Sequence, residues 1–322
     1  MYIPLQTERN NFGANSMLIH RRTLFTIVAG LLLIMHSTHA QQGKETIALW
    51  TASPPDGSGP KGEEKVTKSG SITNVSRPRL IVHRPKHPNG MSALVISGGG
   101  YAHIEMGKES TPTAVWLQSQ GITAFELVYR LPREGWRTTN VPFQDAQRAI
   151  RLIRSRAATF GIDPNRIGIV GFSSGGHLAG TTATEPDLPR YAPVDAADNV
   201  SARPDFAALI YPVLTMMPPF DKTRTRREII GKYPSRAQEI AYSIERHVDT
   251  NTPKTFLAQS LDDSISSIEN SRLMFRALRQ VNVPVELHVF QTGGHGWGLG
   301  APNTEVHTWS SLFKTWMKRN QT

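Results

Sequence analysis

Two kinds of block alternate along this chain. Short apolar runs rich in Val, Ile and Leu occupy residues 79–83, 93–97, 122–129, 167–172, 206–213, 255–259 and 285–290, and each has the length of a strand. Between them lie stretches with helical spacing: residues 111–120, stopped by Gly121, then 141–160, 267–279 and 305–318. In residues 141–160 the apolar positions Ala146, Ala149, Ile150, Ile153 and Ala157 share a face, and Arg148, Arg151, Arg154 and Arg156 read as basic outer residues. Alternation of this kind predicts an α/β fold: a mostly parallel sheet with right-handed crossovers, flanked by helices, carrying its site at the carboxyl ends of the strands. Residues 46–50 form a further short apolar segment. The Pro-, Gly- and Lys-rich residues 52–70 read as an exposed arm. Residues 184–204 are polar and irregular, and residues 214–252 predict two small helices around Gly231 and Pro234, an insertion placed to act as a lid or wall at the mouth of the sheet.

The apolar run at 167–172 leads through Gly171-Phe172-Ser173-Ser174-Gly175 into small, helix-compatible residues. G-x-S-x-G can be an ordinary glycine-rich turn. Between a strand and a helix it reads as a nucleophile elbow, in which a tight turn lifts the serine hydroxyl above the sheet. Ser173 is the candidate nucleophile, and the helix after it offers free N–H groups and a positive dipole end to a developing oxyanion. Upstream, the 93–97 run ends in Ser97-Gly98-Gly99-Gly100-Tyr101, a turn nearly free of side chains. Such a backbone can aim N–H groups at an oxyanion together with the Ser174 N–H. It lacks the Lys and Ser/Thr of a phosphate-binding loop.

A base and an acid follow in order. His295 lies on the glycine loop 291–298, after the last strand, and outranks His288 inside a strand, His177 in the elbow helix and His307 in the closing helix. Asp262, just past the 255–259 run, is favoured as the carboxylate that orients His295, with Asp263 read as the cap of the next helix. His83 and His87 stand four apart, but Pro85 between them argues against a helical metal pair, and both are treated as loop histidines. No metal or organic cofactor is expected, since no H-E-x-x-H or comparable set appears.

Composition narrows the setting. The 322 residues contain no cysteine, which excludes disulfides, thiolate metal sites and a cysteine nucleophile. Arg21-Arg22, the 12-residue apolar run 24–35 and the small residues Thr38 and Ala40 predict a secretory leader. That run is short for ~30 Å of hydrocarbon, so no permanent membrane anchor is expected. Residues 1–40 are therefore set outside the fold, with Met17 an alternative start, and residues 41–322 are read as one catalytic domain outside the cytoplasm, secreted or periplasmic. The net charge of +10 is spread along the chain. Its densest cluster, residues 222–227, reads as a solvated helix face rather than a nucleic-acid patch, because no aromatic interleaving accompanies it. The oligomeric state is left open.

Taken together, residues 45–319 resemble a secreted α/β-hydrolase of the acetylxylan-esterase type, related to hormone-sensitive-lipase-like esterases and to dipeptidyl-peptidase-type catalytic domains. The motifs carrying the resemblance are residues 97–101, Asp145-Ala146-Gln147-Arg148-Ala149, Asp163-Pro164-Asn165-Arg166-Ile167, the elbow, Leu261-Asp262-Asp263 and Gly294-His295-Gly296. The resemblance implies an oxyanion hole of Gly99, Gly100 and Ser174. It departs where Ser97 replaces the histidine of a lipase-like HGGG and where Ser174 stands in place of a frequent alanine. It implies hydrolysis of short acyl esters, acetyl above all, on polysaccharide such as acetylated xylan. Tyr101 and Trp297 are expected to face the mouth and contact sugar, although Trp297 packed under the histidine loop fits equally. The rivals are a dipeptidyl-peptidase-type serine peptidase, for which no propeller or paired-Glu amine anchor is visible, and a non-catalytic glycan-binding protein, which would make the Ser, Asp, His order accidental.

Overall fold

A computed structural model describes residues 45–320; the leader expected at residues 1–40 lies outside them. Eight strands form the central sheet: β1 (Thr46–Ala48), β2 (Arg79–His83), β3 (Ser92–Ile96), β4 (Thr123–Val128), β5 (Ile167–Phe172), β6 (Phe206–Ile210), β7 (Lys254–Ser260) and β8 (Val285–Phe290). Their spatial order is β1-β2-β4-β3-β5-β6-β7-β8. β2 pairs antiparallel with both neighbours, while β3 to β8 pair in parallel. Every residue of β3, β4, β5 and β6 is buried, as a parallel sheet covered on both faces requires.

The helices divide between the two faces. α1 (Ser110–Ser119) and α8 (Trp309–Arg319) close one face, where Leu117, Trp309, Phe313 and Trp316 pack on Val95, Val170, Ala208 and Phe256. α2 (Val141–Ser155), the single turn α3 (Ala157–Phe160), α4 (Ser174–Thr184) and, later in the chain, Met274 and Leu278 of a helix at Glu269–Gln280 pack on Leu94, Ile96, Phe125 and Ile169 of the other. The expected α/β-hydrolase architecture is thus present. The insertion after β6 holds two short helices, α5 (Arg224–Ile230) and α6 (Arg236–Ala241), on either side of Gly231 and Pro234 as the sequence indicates; the helix Glu269–Gln280 is α7.

Three expectations are corrected. The arm expected at residues 52–70 contributes Lys65–Val66 to a small sheet with Ser71–Thr73 and Ile104–Glu105. His83 is not a loop histidine; it ends β2, is buried, and its Nε2 lies 2.6 Å from Glu126 Oε2. Arg148 is not an outer residue of α2. It is fully buried and binds Asp195, Asp198 and the Leu49 carbonyl, because a guanidinium with five donors can be taken inside when enough acceptors surround it. One turn earlier on the same helix, Asp145 accepts from Arg130 and from Trp50 Nε1, anchoring the chain that follows β4.

Candidate active site

The elbow follows from close packing. Ser173 sits between β5 and α4 with φ +52° and ψ −118°, a region L-residues avoid and which persists only where surrounding structure imposes it. A Cβ built on Gly175 would lie 2.4 Å from the Ile96 carbonyl oxygen, so only glycine lets α4 start this close to the neighbouring strand. Residues 97–101 press on the elbow from the other side: a Cβ on Gly98 would come within 2.7 Å of Ser173 Cβ.

Beyond the ends of β7 and β8, a histidine and a carboxylate complete the line. Ser173 Oγ lies 2.8 Å from His295 Nε2, and His295 Nδ1 lies 2.7 Å from Asp263 Oδ2. The assignment of the orienting carboxylate to Asp262 is corrected by one residue. Asp262 is exposed, and its oxygens accept the Gly293 and Gly294 N–H groups at 3.2 and 2.8 Å. Asp263 is buried and divides its work: Oδ1 accepts the N–H groups of Ile265 and Ser266, while Oδ2 faces the imidazole. The expected helix cap is not made: α7 begins at Glu269 behind Ile268 with no side-chain cap, and Asp263 instead closes the turn before it with one oxygen and partners His295 with the other.

Of the expected oxyanion donors, two are open. The Gly99 N–H meets no acceptor among the described residues, and Ser174 opens α4, where an N–H has no carbonyl four residues back. The third is engaged: the Gly100 N–H donates to Ser174 Oγ at 2.8 Å. The serine that departs from the related sequences thus pins the glycine turn to the elbow. Ser97, the other departure, accepts the Ser110 N–H at 3.0 Å with its hydroxyl and the Tyr129 hydroxyl with its carbonyl, tying the turn to α1 and to the end of β4.

The structure places the two aromatics differently. Tyr101 does not face the mouth: at φ +60° its side chain turns inward, 1% exposed, with its hydroxyl 3.0 Å from His177 Nδ1. His177 is itself buried between Tyr101 and the Tyr242 carbonyl, and burial lowers its pKa to about 4, so it is a structural neutral imidazole. Trp297 is half-buried under the histidine loop, its ring 4.5 Å from Tyr211 and 6.1 Å from Phe290, and its Nε1 donates to Ser260 Oγ. It lines a groove with Pro112 and Leu299 that meets the Ser173 cleft at Lys108.

That cleft has a volume of about 430 Å³ and is bordered by Gly99, Gly100, Lys108, Ser173, Arg224 and His295. The Arg224 stem of α5 lies over Gly100, so the insertion forms one wall as expected. Sequence reasoning missed three of its features: Lys108, Arg224 and Glu109, whose carboxylate lies buried behind the glycine turn. The position of Glu109 directly before α1, in place of an ordinary capping residue, was the available sign.

The BD-FAE family model matches residues 81–278, more than half of the chain. The chain is 34% identical over 227 residues to endo-1,4-beta-xylanase B of Butyrivibrio fibrisolvens, a match covering 67% of this chain and 34% of that protein. It is 28% identical over 234 residues to an acetylxylan esterase of Xylanibacter ruminicola, covering 71% and 46%. The chain therefore spans between a third and a half of the length of these curated relatives. Among solved structures, the acetyl ester-xyloside bifunctional hydrolase of Caldicellulosiruptor lactoaceticus superposes with a TM-score of 0.75 at 34% identity, covering 86% of this chain and 97% of that one. A thermophilic esterase of Thermogutta terrifontis, at 24% identity and TM-score 0.65 over 83% and 96%, shares the fold. A sheet of this order with its elbow, matched over nearly the whole length of a solved relative, identifies the chain as a member of the BD-FAE family of α/β-hydrolases.

Proposed function

We propose that the protein is a serine esterase that removes short acyl groups, acetyl first, from an acetylated xylan-type polysaccharide. The observation that carries the chemistry is the line Ser173 Oγ, His295, Asp263, with contacts of 2.8 and 2.7 Å, set beside two open backbone donors. In this reading His295 Nε2 takes the Ser173 proton as Oγ attacks the acyl carbonyl carbon, and the Gly99 and Ser174 N–H groups receive the oxyanion. Collapse breaks the bond to the sugar oxygen, which leaves with the proton from His295. Water, deprotonated by the same imidazole, then releases the acid and restores Ser173. Asp263 keeps the proton of His295 on Nδ1, so that Nε2 remains the acceptor.

The names of the relatives support the substrate class: one is an acetylxylan esterase and another an acetyl ester-xyloside hydrolase. The xylanase name belongs to a protein of which this chain matches about a third. Glycoside hydrolysis needs two carboxyl groups flanking the sugar bond. Here Asp263 is committed to His295, and Glu109 to Gly98 and Tyr211. Action outside the cytoplasm is part of the proposal and rests on the leader-like residues 17–40; amino-terminal sequencing of exported protein would show a start near residue 41.

The decisive test is chemical. A serine-directed phosphonate should label Ser173, and Ser173→Ala should lower kcat by about 10⁴-fold or more on a small aryl acetate. Labelling elsewhere, or wild-type turnover by the variant, ends this reading. A panel of acetyl, butyryl, feruloyl and peptide substrates then fixes the acyl preference, with acetylated xylo-oligosaccharide expected to lead.

A further inference from the structure

Behind the glycine turn, one buried side chain connects the two halves of the site. Glu109 is 3% exposed. Although it stands immediately before α1, it makes no side-chain cap to that helix and reaches back toward β3 instead. Its Oε2 accepts the Gly98 N–H at 2.5 Å, and its Oε1 accepts the Tyr211 hydroxyl at 3.0 Å. Tyr211 follows β6 at φ +35°, a backbone strained for a tyrosine, and its ring stands edge-on to His295 with centroids 5.0 Å apart. The same hydroxyl accepts the Gly298 N–H of the histidine loop at 3.0 Å. A continuous strut therefore runs Gly98, Glu109, Tyr211, Gly298 beneath Ser173.

We propose that Glu109 is a positioning residue of the esterase site, holding the oxyanion turn and the histidine loop in mutual register through Gly98 and Tyr211. The inference rests on the esterase reading. Fixing the Gly98 N–H leaves Gly99 as the next donor in the turn, so the orientation of an open N–H depends on a carboxylate buried behind that turn. Both groups facing Glu109 are donors, and only the ionised carboxylate accepts from both without turning a proton toward one of them. Burial opposes that charge and raises the Glu109 pKa to about 7, against the lowering influence of the Gly98 N–H, the Tyr211 hydroxyl and His295. The other titratable groups facing it are Glu105 from the small-sheet strand Ile104–Glu105 and Tyr129 after β4, and Lys108 is its chain neighbour. The folded chain thus binds this proton more tightly than a carboxyl at its ordinary 4.5, so ionisation lowers stability as pH rises from about 4.5 to 7. Stability is given up at a place where function requires the charge.

The test compares Glu109→Gln and Tyr211→Phe with wild type on a small aryl acetate, with active sites counted by phosphonate titration. Glu109→Gln should lower kcat by about 10- to 100-fold with KM within about twofold, because displaced donors and a displaced base weaken the transition state rather than ground-state binding. In the wild type both His295 and Glu109 must have lost a proton, so log kcat/KM should fall with a slope steeper than one on the acid side. The Gln variant should show slope one, and its Tm at pH 8 should equal or exceed that of the wild type. Tyr211→Phe should share the kcat loss, and the double variant should lose less than the sum of the two. If Glu109→Gln fails to fold, a kcat loss per titrated site in Tyr211→Phe, with KM unchanged, carries the proposal. An unchanged kcat per titrated site and an unchanged acid-side slope in the folded variants would overturn it, leaving the esterase reading intact so long as Ser173→Ala is inactive. Activity in Ser173→Ala would instead overturn the esterase reading itself.

Discussion

A carboxylate has two oxygens, and Asp263 uses them for different tasks: one closes the turn at Ile265 and Ser266, the other faces His295. Asp263→Asn should therefore lower kcat by about 10⁴-fold, since an amide no longer holds the imidazole in the tautomer that leaves Nε2 free to accept. Asp262→Asn should cost about tenfold or less, because its amide oxygen still accepts from Gly294. Measured kcat values with the reverse ranking would return the role to Asp262. The sequence brought both residues to the right loop but could not choose between them, since no residue pattern shows that one side chain closes a turn with one oxygen and orients the imidazole with the other. Tyr101 shows a related limit. Its inward turn depends on φ +60°, a sign no residue pattern reveals for a tyrosine.

Among the elements, the strands and helices that carry the site were legible because each is a long apolar run or a clear helical repeat. Where α2 hides its charges, the pattern misled: Arg148 reads as solvated, yet its acceptors come from the Leu49 carbonyl and from Asp195 and Asp198, distant in sequence. The histidine loop likewise rests on a residue far from it in the chain, Tyr211. Trp297 lies against Tyr211 and against Trp309 of α8, so the loop is held from below by aromatic packing. Trp297→Ala should destabilise the protein by about 2–3 kcal/mol, less than the 3–5 typical of a fully buried large aromatic. It should lower kcat/KM for aryl acetate and for acetylated oligosaccharide alike. Loss confined to the oligosaccharide, through KM and with Tm unmoved, would instead give the ring to the sugar.

For the molecule as a whole, the alternation of strands and crossovers was enough to set the architecture. The small sheet formed by Lys65–Val66, Ser71–Thr73 and Ile104–Glu105 escaped, because strands of two or three residues leave no periodic trace. The strand order has one more consequence, and it concerns time. Ser173 and His295 are 122 residues apart, while His295 and Asp263 are separated by 32, and the three meet only above β5, β7 and β8 once the intervening β6 has paired on both sides. Contacts of such separation form late, since the closure of long loops precedes any gain from the contacts they allow. During refolding from denaturant, α4 and its neighbours should recover their far-ultraviolet signal first, and phosphonate-reactive Ser173 should appear only in the slowest phase. Competence for acyl transfer is then a clock that starts when the last strand is in place.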